Sequence, residues 1–192
     1  LGFDQQFFSL LSLIASALTL VGIVIFRPFM ANNSIARIIV ILSIVGSILF
    51  LPSVGMYYGF HNWTASLTNG VVDARFIAII NTALESPLGQ VAMIPLLAWI
   101  AKNAPRHLKA TFFAIFASFT NLALSANALG TKYLNEIFTI TREVKDKVTN
   151  AIVSSADYSE LGILLIAVTL LTLLIPIIAV WIVQKSKFKT NE

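Results

Sequence analysis

Five long apolar runs separated by polar stretches dominate this chain. They cover about Phe7 to Phe26, Ile38 to Tyr58, Ala74 to Ala101, Ala110 to Phe138 and Leu161 to Val183, and the fourth turns polar near residue 134, where Lys132 and Glu136 fall. A helix rises about 1.5 Å per residue, so roughly 20 residues cross about 30 Å of hydrocarbon. Every run meets that length. The pattern predicts an all-α integral membrane protein with five transmembrane helices, forming a single transmembrane region over residues 1–192.

The runs differ in their polar residues. In the first, Ser9, Ser12, Ser16 and Thr19 recur at helical spacing and share a face, which Gln5 extends. Small hydroxyl residues on one face form a helix-packing stripe or line a cavity, and both readings stay open. The second run is apolar nearly all round, apart from Ser43, Gly46, Ser47, Pro52 and Gly55, and reads as a lipid-facing support. The fourth is polar on two sides. Thr111, Ser118, Asn121 and Ser125 fall on one, and Thr120, Asn127 and Thr131 on the other, with Ala126-x-x-x-Gly130 as a small-residue contact pattern. The fifth is almost purely aliphatic, and Pro176 predicts a kink. Arg27 to Arg37 and Gly59 to Asp73 read as loops, and Tyr57, Tyr58 and Trp63 fit an interfacial belt. Thr139 to Glu160 is polar and reads as a loop with room for a short surface helix.

The third run carries the chemistry. Glu85 is the only acid or base well inside any apolar run. A carboxylate at membrane depth costs several kcal/mol unless it is paired, protonated or faces a wet cavity. Asn81 lies one turn before Glu85 on the same face, Gly89 and Ala92 continue that side, and Gln90 points toward a neighbouring helix. Pro87 removes a backbone donor, Gly89 weakens the helix again, and Pro95 is a second break. A broken helix with one acid at its centre suits a transporter midplane. Glu85 is then a protonatable or cation-pairing group, with Asn81, Gln90 and Asn121 as hydrogen-bonding neighbours and Pro87 and Gly89 as hinge candidates. The alternative makes Glu85, Asn81, Gln90 and Asn121 structural interhelical bonds, and Pro87 and Gly89 a tolerated kink.

Composition agrees with the membrane reading. Of 192 residues, 57% are apolar and 11% charged, where a soluble domain carries about 25% charge. The absence of cysteine excludes disulfides and thiolate metal sites, and both histidines, His61 and His107, fall outside the apolar runs. No cofactor or metal is expected, and an enzyme is disfavoured, because no nucleophile–base or ligand spacing occurs at depth. The net charge of +4 sits beside the spans, so it speaks for orientation in a lipid bilayer and against nucleic acid. Arg27, Arg37, Lys102, Arg106, Lys109, Lys185, Lys187 and Lys189 collect on one side, opposed only by Glu192. Asp4, Asp73, Glu136, Glu143, Asp146, Asp157 and Glu160 collect on the other, with Arg75, Lys132, Arg142, Lys145 and Lys147. The positive-inside rule then predicts a multi-pass protein of the plasma (inner) membrane with a cytoplasmic C-terminus and Leu1 outside. A first residue other than Met and an outside N-terminus without a charged leader lead us to expect a fragment.

The segments Leu88-Gly-Gln-Val-Ala-Met-Ile-Pro95, Ala104-Pro-Arg-His-Leu-Lys-Ala-Thr-Phe-Phe-Ala114 and Ser118-Phe-Thr-Asn121 resemble the folate–biopterin transporter family of the major facilitator superfamily, and Leu1-Gly-Phe-Asp resembles the opening of its eighth helix. The resemblance implies that the chain is the C-terminal part of a secondary transporter, about helices eight to twelve, with its N-terminal half in the same or a separate chain. It implies a folate or pterin substrate moved by alternating access, and a protonatable Glu85 would allow proton coupling. The family pattern places an acid where this chain has Asn81, and another where it has Lys109. Those departures bear on substrate. In such a half the ninth and twelfth helices face lipid, the tenth lines the cavity, and the eighth and eleventh sit between halves, which is how polarity ranks the five runs. Two further readings are a non-transporting fragment or accessory subunit, left by a split transporter gene, and a major facilitator permease for a different small solute.

Overall fold

The computed structural model describes residues 3–145 and 152–186. Leu1, Asp146, Lys147, Lys187, Lys189 and Glu192, used above for orientation, lie outside the described residues. The helices are α1 (Gln5–Ile25), α2 (Arg27–Asn32), α3 (Ile35–Tyr57), α4 (Phe60–Leu67), α5 (Ala74–Glu85), α6 (Met93–Asn103), α7 (Lys109–Ile137) and α8 (Leu161–Lys185), with two short strands, β1 (Val144–Lys145) and β2 (Ile152–Ser154). Five helical segments are long and apolar enough to cross a membrane: Gln5–Ile25, Ile35–Tyr57, Ala74–Asn103, Arg106–Ile137 and Leu161–Lys185. Most of their surface is apolar and exposed, as expected of helices whose solvent is hydrocarbon.

Side-chain caps set three helix starts. Asp4 Oδ1 accepts from the Phe7 N–H at 2.7 Å, Ser34 Oγ from Arg37 at 3.3 Å, and Asp73 Oδ1 from Phe76 at 2.8 Å. Each satisfies a donor that the first helical turn leaves free. Gly59, at φ +85°, separates α3 from α4 in a backbone conformation that glycine tolerates best. Pro52 and Pro176 lie inside α3 and α8 without ending either helix.

The chain forms two compact units, one holding residues up to Asn103 and from Thr169 onward, the other Ala104–Val168. In the first, α1 packs on α5 and on the segment after it, α3 packs on α5, α2 on α6, and α4 on α3 and α5. Ile38 and Val91 are fully buried, and Phe7, Val54, Ile77 and Ile100 nearly so. Asp4 lies 3.8 Å from Arg75, whose guanidinium stands 5.6 Å from the centre of the Phe7 ring. The first turns of α1 and α5 therefore stand at the same end of this unit.

In the second unit α7 follows a single 3-10 turn, Arg106–Leu108, and carries no buried residue. Its hydroxyls turn inward on their own helix: Ser118 donates to the Ala114 carbonyl, Thr120 to Phe116, Ser125 to Asn121 and Thr131 to Asn127, all at 2.9–3.0 Å. A methyl group added at Gly130 would meet nothing within 4 Å, so no other helix among the described residues packs closely against Gly130.

Three expected loops contain regular structure. Arg27–Asn32 and Phe60–Leu67 are helical. The first exploits Pro28 in its opening turn, where the missing N–H costs nothing. Within Thr139–Glu160 a hairpin replaces the expected loop: Val144 pairs with Ser154 and Lys145 with Ile152, antiparallel, and Thr141 exchanges backbone hydrogen bonds with Asp157 at 3.1 and 3.0 Å. β-branched Val144, Ile152 and Val153 favour that conformation.

Candidate functional site

The third span is broken. Its first half, α5, ends at Glu85, one turn of 3-10 helix covers Ser86–Leu88, and α6 starts at Met93. Pro87 supplies no donor, and its ring excludes the carbonyl four residues earlier. The Ser86 hydroxyl reinforces the disruption by donating to the Thr82 carbonyl at 2.6 Å. Shorter bonds then take over, Gly89 N–H to the Ser86 carbonyl and Val91 N–H to Leu88, both at 3.1 Å, until Ile94 N–H returns to the Gln90 carbonyl. Pro95 falls in the first turn of α6, where proline is tolerated. The expected second break at Pro95 is therefore absent, and that residue belongs to the restart. Gly89 has φ −57° and ψ −29°, a conformation open to any residue.

Helix α1 holds the break. The Thr19 hydroxyl donates to the Ser86 carbonyl at 2.9 Å as well as to its own Ala15 carbonyl. One turn on, Gly22 is buried, and a Cβ placed there would overlap the Pro87 carbonyl group and Cα. Only glycine lets the two backbones approach so closely. The polar stripe ends at Thr19. The same spacing continues to Gly22, which was the available signal for this contact. Ser9, Ser12 and Ser16 are exposed, and Ser9 and Ser16 bond to carbonyls four residues back in α1. Of the stripe, Thr19 alone is brought to the break.

Asn81 and Glu85 meet as their spacing predicts. Asn81 Nδ2 lies 3.5 Å from Glu85 Oε2, a long contact. Among the described residues the buried Asn81 Oδ1 atom has no hydrogen-bond partner, nor has Ser47 Oγ on α3, the helix that packs on α5. Glu85 itself is exposed, and Gln90 is half-buried. Leu84, Leu88 and Val91 border an apolar cavity of about 300 Å³, closed on its other side by Phe26, Phe29 and Ile41 among others. Asn121 lies on α7 in the other unit, exposed. The structure thus gathers Asn81, Glu85, Pro87, Gly89 and Gln90 around one helix break and joins Thr19 and Gly22 to them. Among the described residues no group of three His, Cys, Asp or Glu side chains is placed to hold a metal ion.

A paired amide and carboxylate beside an interrupted helix offers exchangeable hydrogen bonds and one titratable charge inside a membrane span. Interrupted helices with free backbone groups are how many transporters build binding sites at membrane depth. No curated protein and no solved structure matches the chain significantly. A family model, that of the BT1 family, matches residues 1–191. The chain belongs to the BT1 family, the folate–biopterin transporters, and is a multi-pass membrane transport protein.

Proposed function

We propose that the chain works in a secondary transporter for folate- or pterin-type solutes, moving them by alternating access, with Glu85 as the group that takes up and releases a proton. The observation that carries this reading is the Asn81–Glu85 pair standing directly before the break at Ser86–Leu88. Protonation removes the one charge that the sequence places well inside an apolar run, and with it most of the cost of moving that site through a dry state. Asn81 Nδ2 donates toward Glu85, while its buried Oδ1 is an acceptor for a carboxylic acid O–H or a substrate N–H. The substrate class rests on family membership.

The five spans supply the second half of a major facilitator fold, about helices eight to twelve, and a first half, in the same or a separate chain, completes the cavity. The basic ends of the spans lie in the cytoplasm and the inner membrane holds the protein. Gln90 adds to the polar lining beside the break, and Pro87 with Gly89 forms the hinge. The cavity beside Leu84 and Leu88 leaves room for the hinge to move. Uptake of labelled folate and pterin into cells expressing the transporter that contains this chain, set against a peptide and a sugar, tests the substrate class. Folate or pterin accumulation is expected. Transport of the other solutes with no folate or pterin uptake would overturn it.

A further inference from the structure

From the cavity at the first turn of α5 we infer that the chain has a second binding site, at the end of the third span, which captures a carboxylate of an incoming small molecule at Arg75 and His61. The cavity measures about 350 Å³ and is lined by Phe3, His61, Asn62, Asp73 and Arg75, with Ala65 and Ala74 leaving space between them. Small-molecule sites begin at about 300 Å³.

Its charges are unequally committed. Asp73 Oδ1 caps α5 through the Phe76 N–H at 2.8 Å, where a negative charge also complements the helix dipole. Asp4 Oδ1 caps α1 in the same way, and its Oδ2 reaches Arg75 only at 3.8 Å, beyond hydrogen-bond length. Arg75 makes no hydrogen bond among the described residues, and its guanidinium, with five donors, rests against the Phe7 ring. A planar fork of donors is built for two-point contact with a carboxylate. His61 lines the same cavity, and its buried Nδ1 has no hydrogen-bond partner among the described residues. Leaving a buried ring nitrogen unpaired is costly. Asn62 adds an amide, and Phe3 an apolar wall for a ring.

The site also resolves a difficulty in the spans. They hold an acid at Glu85 but no base at comparable depth, so an anionic substrate has no counter-charge there. About 15 Å of helix separates Arg75 from Glu85, which places the capturing base at the mouth and leaves the acid for the translocation step. This inference rests on the substrate class proposed above in that argument and in the choice of probes, and on the cavity alone for its place.

The test is equilibrium binding to the full chain in lipid nanodiscs, with folate, p-aminobenzoylglutamate and pterin as probes. The second carries the carboxylates without the pterin ring, and the third the ring without carboxylates. Folate and p-aminobenzoylglutamate are expected to bind wild type and to weaken about tenfold or more in Arg75→Gln, with partial recovery in Arg75→Lys, a smaller loss in His61→Gln and no change for pterin. Equal affinity of wild type and Arg75→Gln for both carboxylates would overturn the capture site, even if folate is transported. Failure of both carboxylates to bind wild type would also overturn it, while pterin binding would leave the transport reading standing.

Discussion

The Thr19 hydroxyl donates to the Ser86 carbonyl at 2.9 Å, joining α1 to the break in the third span across 67 residues of sequence. That carbonyl lies where Pro87 has ended the regular helical bonding, and the side chain adds a second donor to the Gly89 N–H that it already accepts. Replacing Thr19 by Val keeps the shape and deletes the donor. Interhelical side-chain bonds in membranes are worth about 0.6 kcal/mol on average and about 1.7 at most. Thr19→Val should lower the thermal midpoint in detergent by a corresponding small amount, and Thr19→Ser should recover it.

Gly22 makes a steric demand. A Cβ there would overlap Pro87 backbone atoms, and backbone cannot rotate aside as a long side chain does. Gly22→Ala should destabilise the protein by about 1–3 kcal/mol, the usual cost of overpacking, and Gly22→Leu by more. Gly46→Ala, at a position with nothing within 4 Å, should leave thermal unfolding nearly unchanged and serves as the control.

Pro87 separates stability from function. Proline within a helix costs about 3 kcal/mol relative to alanine, so Pro87→Ala should raise the thermal midpoint by allowing α5 to continue. If the break is the hinge, the same variant should slow uptake while expression stays at the wild-type level. Unchanged uptake would make Pro87 a tolerated kink.

Asp157 offers a pH-sensitive probe of the hairpin. The Ser159 backbone N–H, at 3.0 Å, and then its hydroxyl, at 2.7 Å, hold the Asp157 carboxyl below its ordinary value of 3.8. A lowered folded value means that this contribution to stability is present above the unfolded pKa and is lost as pH falls through the folded one. A carboxyl NMR titration should place the Asp157 midpoint below 3.8, and Ser159→Ala should move it upward.

The spans were legible because hydrocarbon imposes one rule on every residue of a run, and an apolar stretch such as Leu161–Lys185 has no other use. The break was legible because Pro87 acts on its own helix, and the Asn81–Glu85 contact because both residues share one turn. Gly22 was not, since its importance depends on Pro87, a residue distant in sequence that passes against it. The hairpin was hidden for a different reason. Arg142, Glu143 and Lys145 mask Val144, and strands of two and three residues carry almost no periodic signal. Phe60–Leu67 likewise read as a loop because a helix of 8 residues between turns is too short to show a clear apolar stripe.

Glu85→Gln, assayed for folate or pterin uptake across a range of pH in the transporter that contains this chain, tests the central claim most directly. Glutamine preserves size and the contact to Asn81 but cannot titrate. Uptake that is reduced and no longer responds to pH is the expected result, while wild-type uptake with wild-type pH dependence would contradict a coupling role for Glu85.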